Sequence, residues 1–164
     1  MAAAPLTLEE FPRTAAVLAE YATAVLNAYQ DRLIRDNKIA TGDLLNSAEY
    51  VITSENGSIL VQLSLESYWK YVEHGRRPGK FPPPTAIIGW IQAKPVIPKP
   101  DSSGKLPTVR SLAYLIGRKI ATEGIKPTNA LAAAAEGQTA VWEERIRAAL
   151  AEDFTEGLAL IIRQ

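Results

Sequence analysis

His74 is the chain's one histidine, and there is no cysteine. Acid–base, nucleophile-activating or metal chemistry that depends on imidazole would therefore run through a single residue, and thiolates and disulfides are closed to it. His74 stands between Glu73 and Gly75 in a basic turn, a setting that suits a surface or hydrogen-bonding role. Adjacent acids occur at Glu9-Glu10, Glu143-Glu144 and Glu152-Asp153. Each pair falls in a predicted helix, where neighbouring side chains point about 100° apart and do not converge as a carboxylate dyad. The sequence has no Gly-x-Ser-x-Gly elbow, phosphate-cradling glycine loop, His-Glu-x-x-His or calcium-loop spacing. The expectation is a non-enzyme without catalytic residues, cofactor or metal. A hydrolase with an unfamiliar site would have His74 as its sole candidate base of that kind.

Charge is more informative. The 18 Lys and Arg balance 18 Asp and Glu, but from Lys70 to Lys126 eleven cations face only Glu73, Asp101 and Glu123. A basic middle of this kind rewards DNA or the acidic flank of a neighbouring subunit, because complementary fields attract. The residues expected at a subunit interface or DNA channel are Lys70, Arg76, Arg77, Lys80, Phe81 and Trp90.

With 164 residues, 47% of them hydrophobic, the chain fits one domain over 1–164 with its own core. No basic start leads into an apolar run, and no apolar stretch reaches the roughly 18 residues a bilayer span needs. Neither secretion nor membrane insertion is expected.

Phe11, Ala15, Leu18, Ala22, Val25, Tyr29 and Leu33 recur every three or four positions and predict a long N-terminal helix over about 8–36. Thr7 and Glu10 resemble a capping box, while Pro12 suits a first helical turn. After a Thr41-Gly42-Asp43 turn, a strand is predicted over Ser47–Thr53. A second follows in which Ile59, Val61, Leu63 and Leu65 alternate with polar residues. Asn56-Gly57 between them favours a type I′ hairpin turn. Tyr68, Tyr71 and Val72 mark a short helical turn stopped by Gly75, followed by the stiff basic stretch Arg76-Arg77-Pro78-Gly79-Lys80-Phe81-Pro82-Pro83-Pro84. Pro84 opens a short helix with Ile87, Ile88, Trp90 and Ile91 that ends before Pro95. An exposed loop is expected over 96–107, with Asp101-Ser102-Ser103-Gly104 at its centre. Thr108 caps a further helix with the stripe Val109, Leu112, Ala113, Ile116 and Ile120, closed by Gly124. A last helix is expected over 138–164, with Trp142, Ile146, Leu150, Phe154, Leu158 and Ile161 on its apolar side. The class is α+β: a small antiparallel hairpin packed by several helices, with a Pro-rich basic loop. A lone hairpin buries too little to stand in water, which points to packing on helices or pairing between copies.

The segment Tyr68-Trp69-Lys70-Tyr71-Val72-Glu73-His74-Gly75-Arg76-Arg77-Pro78-Gly79-Lys80-Phe81-Pro82-Pro83-Pro84, continuing through Ile87, Ile88 and Trp90, resembles the signature of the minor structural, or tail-completion, proteins of tailed double-stranded DNA bacteriophages. Thr41-Gly42-Asp43-Leu44 is similar to that family's Thr-Gly-x-Leu turn. Leu115-Ile116-Gly117-Arg118-Lys119-Ile120 with Gly124-Ile125-Lys126-Pro127 is similar to its later Arg-Lys-Ile and Gly-x-x-Pro region. The likeness runs from about Thr41 to Leu131. The Lys94–Pro107 insert is longer than the family's usual connection, and Ala130–Ala135 replaces its aromatic-Leu-x-Pro ending. The resemblance implies a homo-oligomeric ring in the head-to-tail neck of the virion, assembled in the host cytoplasm. Its implied partners are portal, adaptor and tail proteins, and double-stranded DNA that passes without sequence recognition. A ring around DNA gains from cations that do not repel phosphate yet do not bind it tightly. The alternative is a DNA-binding module using the basic segment 70–126.

Overall fold

The computed structural model describes residues 8–38, 42–55, 58–94, 96–100 and 102–162. They form helices and one two-stranded antiparallel sheet, the expected α+β class. The chain packs as two compact units. One is Met1–Leu33, Ser47–Leu65 and Ala130–Gln164, and the other is Ile34–Asn46 and Glu66–Asn129.

The first unit is built on helix α1 (Pro12–Arg35), which follows a 3-10 turn at Leu8–Glu10. Pro12 takes the first helical position, where its missing N–H costs nothing. Ala22, Val25, Leu26, Tyr29 and Leu33 are buried, on the side that the apolar periodicity predicts. Strands β1 (Glu49–Glu55) and β2 (Ser58–Ser64) pair from Glu49↔Ser64 to Glu55↔Ser58. Tyr50, Ile52, Ile59, Val61 and Leu63 share the half-buried face, and Val51, Leu60 and Gln62 lie on the exposed one. The first strand thus begins two residues later than predicted and runs two residues further. Thr7, Thr41, Asn56, Gly57, Pro95 and Asp101, which the sequence reading used for caps and turns, lie outside the described residues, as does the side chain of Ile161.

Helix α6 (Ala130–Ile162) runs for 33 residues and starts eight residues before the predicted Gln138. The Ala-rich stretch is part of it, with Ala130 and Ala134 buried. It lies antiparallel to α1. Phe11 meets Phe154 edge-on at 5.3 Å, Tyr21 meets Trp142 at 6.3 Å, and Arg145 bonds Glu20 at 2.6 Å, so rising numbers on one helix match falling numbers on the other. Phe154 and Leu158, placed by their spacing on the buried side, are exposed, Phe154 while keeping its edge contact with Phe11.

The second unit contains α2 (Asp43–Asn46), α3 (Trp69–Glu73), α4 (Pro84–Ala93) and α5 (Val109–Glu123). The single turn α2 was not predicted; too short for periodicity, it starts where the Gly42 carbonyl accepts from the Leu45 and Asn46 amides at 3.0 Å. Pro84 sits at the first position of α4 and Thr108 caps α5 by accepting from the Ser111 amide at 3.2 Å, both as predicted. Ile87, Ile91 and Ala113 form the core of the α4–α5 pair, with Ile88, Leu112 and Ile116 against it. Val109, predicted in that stripe, is exposed in the first turn of α5, while Gly117 takes a buried place instead. In the expected loop, Ile97 and Leu106 are exposed.

Candidate functional site

The basic stretch after α3 is pinned to α5 at successive points. His74 closes α3, its amide donating to the Lys70 carbonyl at 2.9 Å, and Gly75 turns the chain with φ +68°. Arg76 and Ile125 then exchange both backbone hydrogen bonds, at 2.9 and 2.8 Å, as an isolated antiparallel bridge. That bridge needs glycine on both sides. A Cβ on Gly75 would lie 2.2 Å from the Ile125 carbonyl oxygen, and one on Gly124 would lie 2.2 Å from the Arg76 carbonyl oxygen. Three residues on, the Gly79 amide donates to the Ala121 carbonyl at 2.8 Å, satisfying one of the carbonyls left open in the last turn of α5. The Arg76 guanidinium donates back to the Lys80 carbonyl at 2.6 Å and fixes the loop's own curvature.

Phe81 completes the attachment. Its ring lies on Gly117, where any Cβ would come within 2.5 Å of two ring atoms, and stacks on Tyr114 with centroids 5.8 Å apart and planes at 28°. Pro82 is buried next to it, and Pro83 and Pro84 lead straight into α4. The loop is therefore a built platform and not a free arm. The side chains of Arg77 and Lys80 remain exposed, near the C-terminal end of α5, where the helix dipole favours positive charge.

Of the residues singled out from sequence, Arg76, Lys80 and Phe81 are held together by these contacts, and Arg77 follows the bridge. Lys70 is exposed on α3, its ammonium 5.4 Å from the Tyr71 ring centroid. Trp90 is exposed on α4. Among the described residues, no hydrogen bond, ion pair or ring contact ties either one to the loop. Sequence reasoning missed Tyr114, the stacking partner. Arg110, Tyr114 and Arg118 recur every four residues and are all exposed on α5, a spacing that could have revealed it. It also missed the turn that closes α3: the Thr128 amide donates to the Val72 and Glu73 carbonyls and the Thr128 hydroxyl to Val72, at 2.8–3.1 Å, above a buried Glu73.

The His74 ring packs edge-on against Trp69 at 5.6 Å. Glu143 pairs with Arg147, and Glu152 with Arg13, on exposed surfaces. Asp153 instead turns inward and accepts from Thr14 at 2.8 Å. Among the described residues, no cluster of three or more His, Asp or Glu is placed to hold a metal ion, and no helix is long and apolar enough to cross a membrane.

No family model matches the chain, and no similar curated protein or solved structure was found.

The structural units also sort the charge. The stretches forming the second unit carry thirteen Lys and Arg against six Asp and Glu; those forming the first carry five against twelve. The formal charges of the two units are thus +7 and −7 with His74 neutral.

Proposed function

We propose that this chain is a structural protein of a tailed double-stranded DNA bacteriophage, not an enzyme, and that copies of it form a ring in the head-to-tail connector of the virion. The observation that carries this reading is the Tyr68–Pro84 segment, whose residues resemble the signature of neck proteins. Gly75 allows a tight backbone bridge, Pro82, Pro83 and Pro84 lead into a helix, and the side chains of Arg77 and Lys80 are left exposed on that base. A loop whose conformation is preset loses little entropy when it docks, which suits repeated contacts in an assembly. In this role the chain meets copies of itself, the portal or adaptor above, tail proteins below and the passing genome.

The test is direct. Purified full-length chain should sediment as a discrete oligomer and image as a ring, and the protein should be found by mass spectrometry in virions made from the genome that encodes it. A chain that is monomeric at every concentration and missing from particles would overturn the proposal.

A second reading, a DNA-binding module using residues 70–126, draws on the +7 unit and on aromatic rings exposed among its cations. It requires duplex binding at about 50 mM salt that weakens steeply as salt rises.

A further inference from the structure

The second unit's cations do more than accumulate. On α5, Arg110, Tyr114 and Arg118 line one exposed side, and Phe81 lies stacked on Tyr114 with Lys80 beside it in sequence. Phe81 and Tyr114 are 40% and 59% exposed, so two stacked rings face outward inside a rim of positive charge. The first unit carries a surface of opposite character. Along α6, Glu144, Arg147, Ala148, Ala151, Phe154, Leu158 and Ile162 follow at steps of three and four and form an exposed ridge, charged toward its N-terminal end, where Arg147 pairs with Glu143, and apolar toward its C-terminal end. Phe154, Leu158 and Ile162 are 51%, 59% and 82% exposed and follow one another every four residues, so they make one apolar patch, with Phe154 also edge-on to Phe11.

We infer that these two surfaces are the two halves of one contact: the Phe81–Tyr114 face of one copy docks on the α6 ridge of a second copy, with Arg110 and Arg118 against Glu144 and against Glu143, which is shared with Arg147 of its own helix. The inference rests on the ring reading and names its interface. A protein made to bind nucleic acid gains nothing from a −7 unit, whereas +7 and −7 on one chain make each copy complementary to the next. Aromatic and aliphatic side chains at the centre with charges at the rim is the ordinary anatomy of a specific interface. Because the two faces differ, the contact is head-to-tail, the kind that closes into a ring when its rotation permits.

Two charge-reversed full-length variants test this: Arg110→Glu with Arg118→Glu, and Glu143→Lys with Glu144→Lys. All four positions are exposed, and circular dichroism would verify the fold of each variant. Sedimentation is read for each variant alone, for their equimolar mixture and for the wild type, between about 0.05 and 1 M salt, a range over which the Debye length falls from above 10 Å to about 3 Å. The expected result is an oligomer for the wild type that weakens with salt, a loss of association of at least about tenfold for each variant alone, and recovery in the mixture, where each reversed face meets its opposite. A wild-type oligomer that neither variant disturbs would overturn this interface and leave the ring reading standing. A wild type that is monomeric throughout would overturn both. Association with duplex DNA in place of self-association would also overturn the inference, in favour of the DNA-binding reading.

Discussion

Asp153, deep in α6, caps the first turn of α1: its carboxylate accepts the Thr14 amide and the Thr14 hydroxyl, both at 2.8 Å, and the Arg13 amide at 3.3 Å. Phe11, which precedes the helix, has no side-chain oxygen to do this, so the cap comes from a residue 139 positions away. Burial pushes the Asp153 carboxyl up, but the hydrogen bonds from Thr14 and Arg13 outweigh it and hold the group below its ordinary value. Asp153→Ala should cost about 2–3 kcal/mol in urea denaturation at neutral pH, one lost cap plus unsatisfied buried donors. A carboxyl with a lowered folded value adds stability that is complete above its unfolded value, near 4, and drains away as pH falls through the folded value. The wild type's advantage over Asp153→Asn should therefore shrink on acidification below about pH 4. A gap between the two that stays constant down to pH 2 would show that the carboxylate's charge contributes nothing.

Gly75 and Gly124 hold the basic loop on α5 by what they lack. Alanine at either site would place a methyl on a carbonyl oxygen of the opposite strand, with φ held at +68° or +78°. The strained backbone alone costs about 1–3 kcal/mol, and the clash adds to it. Gly75→Ala and Gly124→Ala should each lower thermal stability by more than about 2 kcal/mol, whereas Gly79→Ala, which meets nothing within 4 Å, should cost only its backbone strain. Equal losses at all three sites would mean that the Arg76–Ile125 bridge is not what fixes the loop.

Local signals were legible in the sequence and tertiary ones were not. Pro84 at the start of α4, Thr108 at the start of α5 and Gly124 at its end were readable because each acts within a few residues of itself. The alternation from Ile59 to Leu63 gave the inner face of β2 for the same reason. The Ala130–Glu136 stretch gave no apolar period, since alanine reads alike on every side of a helix. Only packing distinguishes the buried Ala134 from the exposed Ala132. At the candidate site, the motif named Arg76, Lys80 and Phe81 but could not show that Gly79 bonds Ala121 or that Phe81 lies on Gly117, contacts made across some forty residues of chain. Val109, Phe154 and Leu158 were placed inside by spacing and are exposed, Phe154 being covered along one edge by Phe11.

His74, the one side chain that sequence alone could nominate as a base, has a modest structural task. Its amide closes α3 whatever its side chain, and its exposed ring makes an edge contact with Trp69. His74→Ala should change stability by no more than about 1 kcal/mol, the value of one exposed aromatic contact. It should leave sedimentation of the chain unaltered. A collapse of assembly in this variant, with the fold intact, would move the imidazole into the interface.

Gly137 and Gly157 carry the opposite prediction from the loop glycines. Both lie inside α6, both are exposed, and a Cβ at either would meet nothing within 4 Å. Glycine there has no contact to permit, and it only leaves the unfolded chain more freedom to lose. Gly137→Ala and Gly157→Ala should each raise stability by about 0.5–1 kcal/mol, the helix-interior difference between the two residues. The sites are separated by roughly 30 Å of helix, so the double variant should gain the sum of the two within about 0.5 kcal/mol. Ala134→Leu, a larger side chain in the buried seam of the same helix, should instead lose about 1–3 kcal/mol. If both glycine variants lowered the melting temperature, α6 could not be a continuous helix through those positions, and the ridge from Glu144 to Ile162 would lose its geometry.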